Sequence, residues 1–122
     1  MTNDTGPRNV LADRDDVSSA LDAAFDLLAT ERRRNALYCL READDPVPLL
    51  ELADRVADRE DESPSDARER VAISLGQVHL PKLDDAGVVD FDPQDRYVVH
   101  RGDPIVDRFL DHAAEHERPA SQ

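Results

Sequence analysis

Between residues 66 and 101 the sequence carries the side chains best suited to reading another macromolecule. Arg68, Arg70, Ser74 and Gln77 fall in a stretch of helical spacing, and Arg96 and Arg101 follow in a β-rich segment. Placed at helical intervals, Arg70, Ser74 and Gln77 share one flank. Such groups could reach phosphates and base edges, since arginine pairs with guanine and glutamine with adenine in the major groove. Arg96 and Arg101 could touch a phosphate backbone, although a hairpin edge is also charged simply to avoid aggregation. The side of the same helix opposite its core face carries Glu69, Ile73, Gly76 and Leu80. Exposed aliphatics near one another mark protein contacts, so a docking surface built on Ile73 and Leu80 stands open beside the DNA reading.

Other candidate groups have plainer explanations. Arg32-Arg33-Arg34 opens a helix, where cations oppose the macrodipole, so either phosphate or nearby aspartates should compensate them. His112-Ala113-Ala114-Glu115-His116 matches the H-x-x-E-H spacing of one zinc-protease class. It lies near the end of the chain, with no downstream stretch to supply a third ligand or a cleft. Asp107, Asp111 or a second chain would have to complete any metal site there; the plainer reading is a solvated helix end. Cys39 beside an apolar stripe reads as a small buried hydrophobe. His79 is suited to DNA contact or to packing near Pro81. No glycine-rich phosphate loop and no convincing serine–histidine–acid set is present. The expectation is a protein without catalytic residues, bound metal or required cofactor.

The 122 residues fit one domain, with residues 17–116 as its body and residues 1–16 and 117–122 as disordered tails. No stretch approaches the roughly 20 apolar residues of a membrane span, and residues 1–16 lack the basic-then-apolar pattern of a signal peptide. A single cysteine excludes an internal disulfide framework and suits a reducing cytoplasm. The formal charge is −13, with Lys82 the only lysine against fourteen arginines, and twenty aspartates against eight glutamates. That balance fits a cytoplasm rich in potassium salt, because at about 1 M the Debye length falls to roughly 3 Å and carboxylates cease to repel at a distance. Acidity weighs against electrostatic membrane binding. It weighs less against DNA binding when concentrated salt has already removed most of the gain from counterion release.

The elements that must position these residues follow from periodicity. Val17, Leu21, Ala24, Phe25 and Leu28 mark a first helix, with Ser18 or Ser19 as its cap. Thr30 is suited to cap a second, whose inner stripe is Ala36, Leu37 and Leu40. A third begins near Pro48 and buries Leu49, Leu52, Ala53 and Val56. Ser63-Pro64-Ser65-Asp66 is a start signal for a fourth, with Ala67, Val71, Leu75 and Val78 on its core face. Pro81 interrupts or kinks that run, and Gly87 stops it. Residues 88–92 and 97–100 alternate as a β-hairpin around Pro93-Gln94-Asp95. A last helix from about Asp103 to Glu115 carries Ile105 and Phe109. This is the winged helix-turn-helix order, mainly α with a small hairpin: recognition helix over about 65–80, wing over about 88–100, and the first and last helices placed to pair two copies as a homodimer.

His79-Leu80-Pro81-Lys82-Leu83, continuing through Ala86-Gly87-Val88-Val89-Asp90-Phe91-Asp92, resembles a haloarchaeal winged-helix domain family of unknown function. Leu27 to Arg34 and Leu52 to Ala57 resemble it too, so the likeness runs from about Leu21 to Tyr97. Much of it is shared with ArsR-like and MarR-like repressors. It implies a winged-helix fold and, by analogy, a DNA-binding transcriptional regulator, with a protein-interaction module as the alternative. Pro48 stands where a capping serine is usual, and Gly76-Gln77 where bulkier residues are common.

Overall fold

The structure, a computed structural model, describes residues 10–60 and 66–117, with side chains from residue 17 onward. Six α-helices and three short strands follow in the order α1 (Val10–Leu28), α2 (Glu31–Arg41), β1 (Val47–Pro48), α3 (Leu49–Arg59), α4 (Ala67–Ser74), α5 (Leu80–Asp85), β2 (Val89–Asp92), β3 (Tyr97–His100) and α6 (Pro104–His116). A five-residue π-helical turn, Leu75–His79, joins α4 to α5. The result is mainly helical with a small antiparallel sheet, winged-helix-like in order.

Helix α2 is central. Arg33 and every residue from Asn35 to Leu40 are buried, which marks a helix covered on all sides. Helix α3 is the amphipathic counterpart: Leu49, Leu52, Ala53, Val56 and Ala57 form its buried stripe, at the three- and four-residue spacings that one helical face requires. It packs against both α2 and α4. Thr30 precedes α2 as expected, but its hydroxyl makes no capping bond. The Ser63-Pro64 start signal lies outside the described residues; Asp66 is the residue immediately before α4.

The sheet order is β1-β3-β2, with Val98 facing Val47 on one side and Phe91 on the other. Strand β1 went unread in the sequence because it is two residues long and one of them is Pro48. Along β2, Val89 and Phe91 are buried while Asp90 and Asp92 are exposed, the two-residue alternation of a half-buried strand. Gly87 has φ 79°. Its N–H donates to the Asp84 carbonyl and the Val88 N–H to that of Leu83. This pairing closes a helix through a left-handed residue, where glycine has no Cβ penalty. Asp103 caps α6, accepting from the N–H groups of Ile105 (2.9 Å) and Val106 (3.0 Å).

Two boundaries and one side-chain placement differ from expectation. Helix α1 begins at Val10, so the tail expected through residue 16 is helical from there and Ser18 and Ser19 lie inside the helix. Leu11, Ala12 and the charged residues after them include no glycine or proline to halt a helix. Phe25, placed on the inner face, is 53% exposed, its ring tilted at 48° against that of Phe109 of α6 with centroids 4.8 Å apart. Glu117, placed in the final tail, accepts hydrogen bonds from Arg34 (2.9 and 2.7 Å) and from the Tyr38 hydroxyl (2.8 Å). Burial, with Glu117 beside it, pushes the Tyr38 phenol up to about 12.

The largest correction concerns the recognition helix. Val78, expected in the core, is 55% exposed, and Leu80, expected outside, is fully buried. The π turn is the cause. It adds a residue to one turn, so the inward positions run Val71, Leu75, Leu80, Leu83 and skip Val78. An unbroken 3.6-residue period had predicted the reverse. Pro81 supplies a motive for the wider turn: it has no N–H, and its ring would crowd the carbonyl four residues back in a regular helix.

Candidate nucleic-acid interface

The recognition segment and the wing enclose a groove of about 170 Å³, lined by Leu49, Ala72, Ile73, Gly76, Gln77, Phe91, Pro93 and Arg96. Three of the residues singled out from sequence therefore meet: Ile73 and Gln77 from the helical wall, Arg96 from the wing. Gly76 permits the close fit, since a Cβ there would stand 3.3 Å from Leu49 Cδ2, closer than ordinary van der Waals contact. Phe91 and Pro93 complete the wing wall and were not foreseen as site residues; the β2 alternation and the turn proline are the signals that could have placed them.

Arg96 holds the wing in register. Its N–H donates to the Asp92 carbonyl (2.7 Å), closing the turn, and its own carbonyl accepts from Leu49 N–H (2.9 Å), pinning the turn to the start of α3. It is also the one non-glycine residue with positive φ, 61°, among those described. For an L-residue this left-handed conformation costs roughly 1–2 kcal/mol. A strained residue at a groove points to a use for the side chain. Arg96 is exposed and makes no side-chain ion pair among the described residues.

The other cations are engaged at the surface. Arg68 lies 3.7 Å from Asp54 and Arg70 3.2 Å from Asp66. Arg101 pairs with Asp90 beside the hairpin. Ser74 is half-buried at the end of α4. The outer face of the hairpin differs from the groove: Asp90 and Asp92 stand across from Val99 and Tyr97. With Pro46, Asp84, Phe91 and Asp95 they surround a separate hollow of about 460 Å³.

Of the residues expected at a protein interface, Leu80 is withdrawn by its burial, while Ile73 is 58% exposed. Ile105 and Phe109 are half-buried. They line a third hollow, of about 400 Å³, with Val17, Leu21, Pro104 and Arg108. The Arg32–Arg34 cluster is turned inward. Arg32 binds Glu60 (3.0 and 2.6 Å), Arg33 binds the carbonyls of Leu27 and Asp26, and Arg34 binds the Leu28 carbonyl and Glu117. Two of these arginines satisfy the last carbonyls of α1, which lack donors within their own helix. Cys39 is buried, and burial pushes its thiol up to about 11, which leaves little thiolate at neutral pH. His112 and His116 stand edge to face, 5.1 Å apart, on α6; no group of three metal-ligating side chains converges among the described residues. No helix among them is long and apolar enough to cross a membrane.

The DUF7344 family model, described as a domain of unknown function, matches residues 25–99. That span takes in the groove, the π turn and most of the wing. Neither a curated protein nor a solved structure is significantly similar to the chain.

Proposed function

The chain belongs to the DUF7344 family, and from that premise we propose that it is a DNA-binding transcriptional regulator of the ArsR-like and MarR-like winged-helix kind, working in the cytoplasm of a salt-loving archaeon. The observation that carries this reading is the convergence of Gln77 and Arg96 on one groove between helix and wing. Gln77 supplies the carboxamide for a base edge and Arg96 a cation for a phosphate or a guanine. Arg68 and Arg70 add positioning contacts from α4. Their exposed pairs with Asp54 and Asp66 are worth about 0–1 kcal/mol, so exchanging a carboxylate for a phosphate costs little. Concentrated salt screens the rest of the acidic surface to within roughly 3 Å. The scarcity of lysine and the excess of aspartate support that setting.

A homodimer would present two such grooves to successive half-sites about 34–36 Å apart. The apolar hollow formed by Val17, Leu21, Ile105 and Phe109 supports pairing through α1 and α6. No cofactor or metal takes part. The test is binding to a pool of random duplexes in about 1 M potassium chloride, comparing wild type with Arg70→Ala and Gln77→Ala. Enrichment of a sequence by wild type, with its preference lost in Gln77→Ala, supports direct readout; absence of binding at any salt concentration rejects the proposal.

A second reading, a protein-interaction module without DNA binding, is favoured by the exposure of Ile73 and Val78 on the recognition segment. Under that reading, Ile73→Ser would weaken a protein complex and leave any residual DNA binding unchanged.

A further inference from the structure

The guanidinium of Arg33 is nearly enclosed, with the residue 6% exposed, yet among the described residues its hydrogen bonds go to no carboxylate. Nε donates to the Leu27 carbonyl (2.7 Å) and Nη2 to that of Asp26 (2.9 Å), while Nη1 lies 3.2 Å from Nδ1 of His79. Arginine has donors only. The imidazole must therefore offer a lone pair at Nδ1, which places its single proton on Nε2 and makes it neutral. His79 is the closing residue of the π turn, directly before buried Leu80.

We propose that His79 is an acid-sensitive latch on the recognition segment: neutral, it fastens the π turn to the corner between α1 and α2 through Arg33, and protonated, it releases it. A second proton would set N–H against N–H and one cation against another, with no acceptor left for Nη1. The charged groups facing the ring give little relief. Arg32 and Arg33 face it from α2, and Glu60, at the end of α3, is already engaged by Arg32. Asp26 of α1, beside Arg33, is held by Lys82 of α5 at 2.8 Å. What the latch controls is helical phase. A regular helix through residues 75–80 would turn Val78 inward and Leu80 outward; the π turn reverses both, and π turns of this kind recur at functional sites.

Burial, with Arg33 and Arg32 behind it, holds the imidazole below its ordinary range, while Glu60 pulls weakly the other way. A base whose folded value is depressed contributes stability that is present above its unfolded value, about 6.5, and is lost as pH falls below it. The inference does not depend on DNA binding and is tested without DNA. Imidazole nitrogen resonances of the full chain in about 1 M potassium chloride should show His79 with its proton on Nε2, titrating below the ordinary imidazole range. Chemical denaturation is then compared between pH 7 and pH 5 for wild type and His79→Asn, whose amide oxygen can replace Nδ1 without titrating. The wild-type unfolding constant should rise about fivefold or more beyond that of the variant; His100 titrates in both and cancels. Parallel pH curves, or a proton resident on Nδ1, would overturn the proposal, and if the variant does not fold the wild-type titration alone decides it.

Discussion

The two sides of the wing carry opposite instructions for a polyanion. Toward the recognition segment the hairpin offers Arg96 beside Gln77 and the apolar side chain of Ile73. Away from it the hairpin offers Asp90, Asp92 and Asp95 around Tyr97 and Val99, with Arg101 already paired to Asp90. Both surfaces are built from residues 88–101, and one register separates them. Because successive side chains of a strand point to opposite faces, Asp90 and Asp92 fall together outside, and the turn at Pro93 to Arg96 delivers one arginine to the groove. Net charge is therefore a poor guide to this molecule: a chain of charge −13 still presents a local groove that no carboxylate lines among the described residues.

Variants can break or sharpen that contrast, beginning with the element that gives the groove its helical wall. Leu80→Ala should cost about 2–5 kcal/mol in denaturant unfolding, as expected for a buried leucine, whereas Val78→Ala should stay within about 0.5 kcal/mol. A regular helix would invert that order. Next comes DNA affinity. Arg96→Ala should weaken binding about tenfold or more in an equilibrium titration. Asp95→Asn, on the opposite side of the hairpin, should change it less than about twofold in molar salt; equal effects from the two would erase the distinction between the faces. Arg96→Gly separates strain from function. Relief of the left-handed backbone, less the glycine entropy, should raise stability by a few tenths to about 1 kcal/mol in thermal unfolding, while DNA affinity still falls. The smallest effect belongs to Arg101→Ala, which removes an exposed ion pair and should cost about 0–1 kcal/mol.

Most elements were legible because their signals are local. The α3 stripe and the hairpin each follow from spacing, and the structure has both; the last helix, expected from about Asp103, begins at Pro104 with Asp103 as its cap. The site was legible in part. Gln77, Ile73 and Arg96 meet, whereas Arg68 and Arg101 are engaged by aspartates that only the fold brings near, and Arg70 by Asp66 four residues back, a spacing the chain does carry. Leu80 was misplaced because the extra residue of the π turn depends on how Pro81, Gly76 and the Arg33–His79 contact come together in space. Nothing in a 3.6-residue count reveals it. Strand β1 failed for a related reason, since a two-residue strand ending in proline exists only through its pairing with β3.

The contrast between the two sides of the wing is tested most directly by mapping amide chemical-shift changes along the chain as an enriched duplex is added in molar potassium chloride. The largest changes are expected at Ile73, Gln77 and Arg96, with Asp90, Tyr97 and Val99 little altered. Changes centred on Asp90, Tyr97 and Val99, with Gln77 and Arg96 unmoved, would contradict it.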